Sequence, residues 1–196
     1  MTRALLALLA VLALAGCGGS DEPQATGREI ALAEALQRGG VVLVMRHAKT
    51  ETATDEVEVL GDCSRQRSLS DEGRAQARRI GRDVKALGVP VRAVLASPLC
   101  RAKETADLAF GHSTPSKVLV SPGVTGPVTD DDRRIAKLRG MTSAPAGEAT
   151  VLVTHTGNVG GAFDQSVEEG DVLVFRGGKL LGTVTPDDWA RLKAGR

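Results

Sequence analysis

The chain has 196 residues and a formal net charge of +1; it is 42% hydrophobic but only 2% aromatic, with no Tyr. That length suits one domain with a sizeable core, and the core must be built mainly from Val, Leu, Ile and Ala. So few rings and so small an excess of basic charge exclude a nucleic-acid surface that works by stacking or by tracking a phosphate backbone.

Met1-Thr2-Arg3 is a short basic start, and residues 4–15 form an apolar run too short to span a bilayer. Leu14-Ala15-Gly16-Cys17 resembles the lipobox of bacterial lipoproteins. The resemblance implies that residues 1–16 are a signal peptide and that Cys17 becomes a lipidated N-terminus. Cys17 and the polar stretch to Gly27 then form a flexible tether, and loss of Arg3 leaves no net charge. The expected protein is exported and lipid-anchored on the extracytoplasmic face of a membrane, with its folded domain over residues 28–196.

Thr26 and Glu29 have capping-box spacing, and the helix they begin is expected to stop at Gly39. Residues 41–45 are apolar and β-branched, a buried strand that runs straight into Arg46 and His47. Residues 48–68 are polar and irregular, a loop in which Arg65 and Arg67 are expected to be solvated, against the alternative that they approach the mouth of a pocket. Ser70 is an N-cap, with Asp71 and Glu72 complementing the helix dipole. Ala77, Ile80, Val84 and Leu87 then share one helical face up to Gly88.

Residues 91–97 are a second strand. A second long helix is expected from Pro98, with its proline at the first helical position and Leu99, Ala102, Ala106 and Ala109 facing inward. A short strand is expected over 118–120, then mostly loop to residue 147 with a short helix around 130–139. Residues 149–155 are a third strong strand. Residues 171–184 read as a hairpin turning at Gly177-Gly178, and a last helical turn starts at Pro186, with Trp189 as a packing anchor. Strands alternating with helices predict an α/β layer fold with a largely parallel sheet.

In such sheets ligands bind beyond the carboxyl ends of the strands. The first strand delivers Arg46 and His47 there, the second leads to Arg101, and the third ends at His155. Guanidinium groups bind phosphate through paired charge-assisted hydrogen bonds, and imidazole adds a nucleophile or a further donor. No cluster has metal-ligand spacing.

These residues sit in recognisable motifs. Arg46-His47-Ala48 resembles the Arg-His-Gly motif of the histidine phosphatase superfamily, which includes the phosphoglycerate mutase-like enzymes. Residues 97–106, Ser-Pro-Leu-Cys-Arg-Ala-Lys-Glu-Thr-Ala, resemble its second arginine motif, and Val153-Thr154-His155 its second-histidine motif. The resemblance implies a three-layer α/β/α sandwich with a largely parallel central sheet. It also implies a phosphatase that hydrolyses a small phosphorylated substrate through a phosphohistidine on His47. Arg46, Arg101 and His155 would form the phosphate pocket, with no metal or other cofactor.

Ala48 departs from the family's Gly. The family's proton donor lies between the second arginine and the second histidine, where this chain offers Glu104, Asp107, Asp130, Asp131, Asp132 and Glu148. Asp130 is the expected donor; without one, substrates with good leaving groups are favoured. Lys49 is a further candidate for substrate contact. Cys63 and Cys100 are expected to form a disulfide, against the alternative of two buried thiols. The competing functional reading is a non-catalytic lipoprotein that retains the pocket to bind a phosphorylated ligand. The sequence leaves the substrate and oligomeric state open.

Overall fold

The computed structural model describes residues 25–52, 60–124 and 128–194. Cys17, the expected lipid anchor, and part of the expected loop after His47 lie outside them. Helix α1 (Gly27–Arg38) starts where the Thr26 hydroxyl accepts from Glu29 N and the Glu29 carboxylate accepts from Thr26 N. The capping box is therefore closed in both directions. Strand β1 (Val41–Arg46) follows, then α2 (Asp71–Leu87), capped by Ser70, and β2 (Val91–Ala96). Next come α3 (Cys100–Phe110), the short β3 (Thr114–Pro115), α4 (Val128–Gly140) and β4 (Ala149–Thr154). The chain ends with α5 (Thr156–Phe163), the hairpin β5 (Val172–Arg176) and β6 (Lys179–Val184), and α6 (Asp188–Ala194).

The strands form one sheet in the order β3-β2-β4-β1-β5-β6. Pairing is parallel from β3 through β1 and antiparallel from β1 to β5 and from β5 to β6. The sheet is thus mixed rather than simply parallel, because the hairpin adds an antiparallel edge. Both faces are covered. Val41, Leu43 and Met45 pack with α1, α2, α3 and α6, while Val42 and Val44 pack with Leu138, Val159 and Ala162 of α4 and α5. The period-two alternation of β1 therefore feeds two cores at once, as a strand buried on both faces must. Trp189, fully buried, anchors α6 in the first core.

Two further expectations are corrected, and one helix is new. Helix α3 begins at Cys100 with Leu99 as its cap, so Pro98 precedes the helix. Residues 117–119 form a 3₁₀ turn instead of a strand, and the short edge strand lies at β3. Helix α5 is absent from the sequence reading, since Gly157, Gly160 and Gly161 argue against a helix in isolation. Close packing explains one of them: a Cβ on Gly161 would lie 2.7 Å from Ile135 Cδ1 of α4.

Helices α2 and α3 pack just as closely. A Cβ on Gly81 would sit 2.0 Å from the Ala109 carbonyl oxygen. Gly81→Ala is therefore expected to destabilise the fold by at least about 2 kcal/mol, as overpacking against backbone does; urea unfolding would measure it.

Candidate active site

The sheet register builds the site. Arg46 of β1 pairs with Thr154 of β4, and Ala96 of β2 pairs with Val153 of β4. His47 N then donates to Thr154 O at 3.0 Å, and Ser97 N donates to Val153 O at 2.9 Å. Three parallel strands thus end side by side. One releases Arg46-His47, one leads into α3 and Arg101, and one ends at His155, the N-cap residue of α5.

The side chains converge there. His47, Arg101 and His155 are 2%, 4% and 3% exposed, so the charges and dipoles act in a poorly solvated environment. Arg101 Nε lies 3.2 Å from His47 Nε2, and the two imidazole rings are 5.3 Å apart between centroids. His47 Nδ1 lies 2.9 Å from the Ala48 carbonyl oxygen. A carbonyl only accepts and a guanidinium only donates. The two contacts therefore assign the proton to Nδ1 and leave a lone pair on Nε2.

Neither ring nitrogen of His155, nor Arg46 Nε, has a hydrogen-bond partner among the described residues. Each such buried group costs about 1–3 kcal/mol, a cost that the oxygens of a bound anion offset. Arg46 Nη1 donates to Val167 O at 2.8 Å, which fixes the guanidinium over the end of β1.

Burial is the largest cause that lowers the His47 pKa, to about 3; Arg101, Arg46 and Arg67 push it the same way, opposed by the bond to Ala48. Burial likewise pulls His155 well below its ordinary value, helped by the same arginines and by His47. Both rings are neutral at ordinary pH.

The structure brings together Arg46, His47, Arg101 and His155. It does not bring Lys49 or Asp130 to them by any recorded contact. Lys49 Nζ lies 2.6 Å from Glu72 on the surface. Asp130, 47% exposed in its side chain, faces Arg133 of its own helix.

Ala48 is fully buried and its φ is not positive, so its methyl causes no backbone strain. Its N–H donates to Thr105 Oγ1 at 3.0 Å, and that hydroxyl donates to Arg101 O at 2.7 Å. Thr105, the threonine of the Thr-Ala pair in the second motif, thereby ties the residue after His47 to the turn carrying Arg101.

Cys63 and Cys100 form a disulfide, with Cα atoms 5.7 Å apart. Beside it Cys100 N donates to Gln66 Oε1 at 2.7 Å. Together they pin the segment before α2 to the start of α3. Arg67, read from sequence as solvated, is half-buried there and close enough to act on both histidines. Glu169, from the turn before β5, is a residue that the sequence reading missed. Its Oε1 lies 3.9 Å from His47 Nδ1 and 3.7 Å from Arg46 Nη2. Nothing in the local sequence marks either residue, since both arrive through loops.

The model of the histidine phosphatase superfamily (branch 1) matches residues 42–124, which include Arg46, His47 and Arg101 but not His155. Solved structures share the fold. The protein histidine phosphatase SixA complexed with tungstate superposes with a TM-score of 0.52 at 17% identity, covering 76% of this chain and 98% of its own. The protein TTHB049 from Thermus thermophilus gives 0.52 at 21% identity, covering 74% and 99%. A phosphoserine phosphatase mutant from Entamoeba histolytica, in complex with phosphoserine, gives 0.52 at 13%, covering 74% and 97%. No curated protein matches the chain. The family match covers less than half of the chain, and the shared fold is consistent with it.

The low pKa of His47 makes a stability prediction. Between its ordinary value of 6.5 and about 3, the unfolded chain binds a proton that the folded chain refuses. Stability should therefore fall as pH drops below about 6.5. His47 alone should account for about 2 kcal/mol by about pH 5. Urea unfolding at about pH 7 and pH 5 measures this, and His47→Asn should reduce the difference.

Proposed function

We propose that the chain is a phosphohydrolase that forms a phosphohistidine on His47. The observation that carries this reading is the fixed state of His47, with Nδ1–H donating to Ala48 O and the unprotonated Nε2 accepting from Arg101 Nε, a donor that phosphate oxygens would draw off to release the lone pair. The low His47 pKa keeps that lone pair unprotonated over the working pH range.

The Nε2 lone pair attacks phosphorus. The bond from phosphorus to the leaving atom breaks, and its electrons depart on that atom, an oxygen in a phosphate ester or anhydride and a ring nitrogen in phosphohistidine. The ring, still protonated at Nδ1, becomes a phosphoimidazolium. Water then attacks phosphorus, the N–P bond returns its electrons to Nε2, and the water's proton passes to solvent. Arg46, Arg101 and His155 would hold the equatorial oxygens and stabilise their charge. The two guanidinium groups supply the charge neutralisation for which other phosphotransfer sites use a metal.

Asp130 is the sequence-based candidate for the proton donor, but its place beside Arg133 gives that role no support. The reading therefore favours leaving groups that depart with little protonation, such as aryl phosphates, phosphoanhydrides or phosphohistidine. The likeness of fold to SixA, a protein histidine phosphatase, agrees with the last of these.

We also propose that the domain is exported and lipid-anchored through Cys17. The lipobox-like sequence supports this, and a structural disulfide suits an oxidising compartment. Among the described residues no helix is long and apolar enough to cross a membrane.

Turnover of an aryl phosphate tests the reading. Wild type should hydrolyse it and trap an acid-labile phosphoryl group. His47→Ala should do neither, and Arg101→Ala should lose about a hundredfold to a thousandfold in kcat/KM while staying folded. Equal behaviour of wild type and His47→Ala would leave only the binding-protein reading.

A further inference from the structure

Among the described residues, Glu169 is the one carboxylate within 4.0 Å of the His47 ring. A carboxylate at a phosphate site calls for explanation, because it repels the anion that Arg46 and Arg101 attract. Its placement is closely determined. The Glu169 carboxylate accepts from Thr50 Oγ1 at 2.7 Å and from Thr50 N at 3.3 Å. Its own carbonyl accepts from Gln76 Nε2 at 3.1 Å, and the other end of that amide accepts from Lys49 N at 3.0 Å. Gly170 N donates to His47 O at 3.0 Å. Gly170 has a φ of 92°, and a Cβ there would lie 2.8 Å from the Gln76 side chain. The turn is thus strapped to the residues on either side of Ala48, with the carboxylate only 21% exposed.

The position of this carboxylate decides between roles. It approaches Nδ1, whereas the phosphoryl group would be taken by Nε2. The leaving atom departs on the far side of phosphorus from Nε2, away from Glu169. A proton donor would have to stand there, so the geometry does not suit Glu169 to that task. It suits a counter-ion instead. Attack by Nε2 turns a neutral ring into a cation; among the described residues, Arg101, neutral His155 and Glu169 face that ring, and Arg46 and Arg67 add positive charge around it.

We propose that Glu169 is a positioning residue that offsets the charge developing on the His47 ring as it becomes phosphoimidazolium, through its place beside the Nδ1–H and Arg46. This rests on the phosphohistidine reading above. It differs from general acid catalysis, because Glu169 acts through His47 and does not touch the substrate.

Glu169→Gln removes the charge while keeping the strap, since the amide oxygen can accept from Thr50 N and the amide NH2 can donate to the Thr50 hydroxyl, in place of the two carboxylate oxygens that accept there now. The expected result is a fall of about tenfold or more in kcat for an aryl phosphate, slower trapping of the phosphoenzyme, and a KM unchanged or lower. The melting temperature should stay near wild type, and Glu169→Asp should recover part of the rate. Glu169→Ala, which also loosens the strap, should be worse than Glu169→Gln. A Glu169→Gln enzyme with wild-type kcat, or with only KM raised, would overturn the proposal.

A second measurement does not depend on turnover. NMR titration of the His47 ring nitrogens, in the presence of inorganic phosphate, should show protonation shifted to lower pH by Glu169→Gln. No shift would overturn the proposal even if the wild type proved inert. An inert wild type that still showed the shift would sink the phosphohistidine reading and leave the Glu169–His47 coupling standing.

Discussion

The register of β4 between its two parallel neighbours is the constraint on which the rest of the site depends. Residues 151–153 are fully buried, apolar on both faces, and pinned between β1 and β2. A slip of one residue would exchange the two faces of the strand and expose its neighbours' partners. Because the strand cannot slip without losing both cores, Arg46, His47, Ser97 and His155 emerge at one level. The site is a consequence of core packing before it is a consequence of polar contacts. This also explains how a chain with so few aromatics holds a well-defined site: Val and Leu in a doubly covered sheet set the register without them.

The electrostatics of the site run against its own stability. Arginines and imidazoles gathered with almost no exposure repel one another and lose hydration. The fold offsets this in two ways. Burial keeps both imidazoles neutral, so the site holds fewer positive charges than its residue types suggest. Backbone carbonyls and peripheral carboxylates take up part of what remains: Val167 O accepts from Arg46, while Glu168 and Glu169 lie within 3.9 Å of its guanidinium. The resulting balance leaves a site short of negative charge at its centre and supplied with it at the rim. That arrangement suits an anion held by the arginines.

The part of this arrangement that lies at the strand ends was legible in the sequence, and for a physical reason. Residues that terminate buried strands are displayed by the fold's own logic, so an apolar run ending on Arg46-His47, and another on His155, could be read directly. The hairpin at Gly177-Gly178 and the capping box at Thr26 were legible because they are local. What escaped depended on distance in sequence. Helix α5 looked unhelical because its Gly161 answers to Ile135 of another helix. The mixed character of the sheet came from where the final hairpin docks, which no local pattern encodes. Glu169 approaches His47, and Arg67 lies near enough to act on it electrostatically, from loops held by Gln76, Gln66 and the disulfide. Lys49 shows the converse: adjacency to the nucleophile in sequence did not decide its direction, because Glu72 at the start of α2 offered it a partner at the surface.

The segment before α2 shows how such distant constraints combine. Cys63 is separated from Cys100 by 37 residues, so their bond removes about 4 kcal/mol of loop entropy from the unfolded chain in the simple chain model. That stabilisation is delivered at one end of α3, next to Arg101. From there Gln66 adds a hydrogen bond to Cys100 N, and the following residue, Arg67, bears on both histidines. At the other end of the same segment Ser70 caps α2 and its N–H donates to Lys49 O, two residues after His47. Gly73 closes the joint, since a Cβ there would fall 1.8 Å from that same oxygen. One stretch of chain therefore braces both the loop after His47 and the helix that carries Arg101. The Thr105 hydroxyl bridges the same two elements from inside. His47 and Arg101, 54 residues apart, hold their 3.2 Å contact because two independent ties, one covalent and one hydrogen-bonded, cross the gap between them.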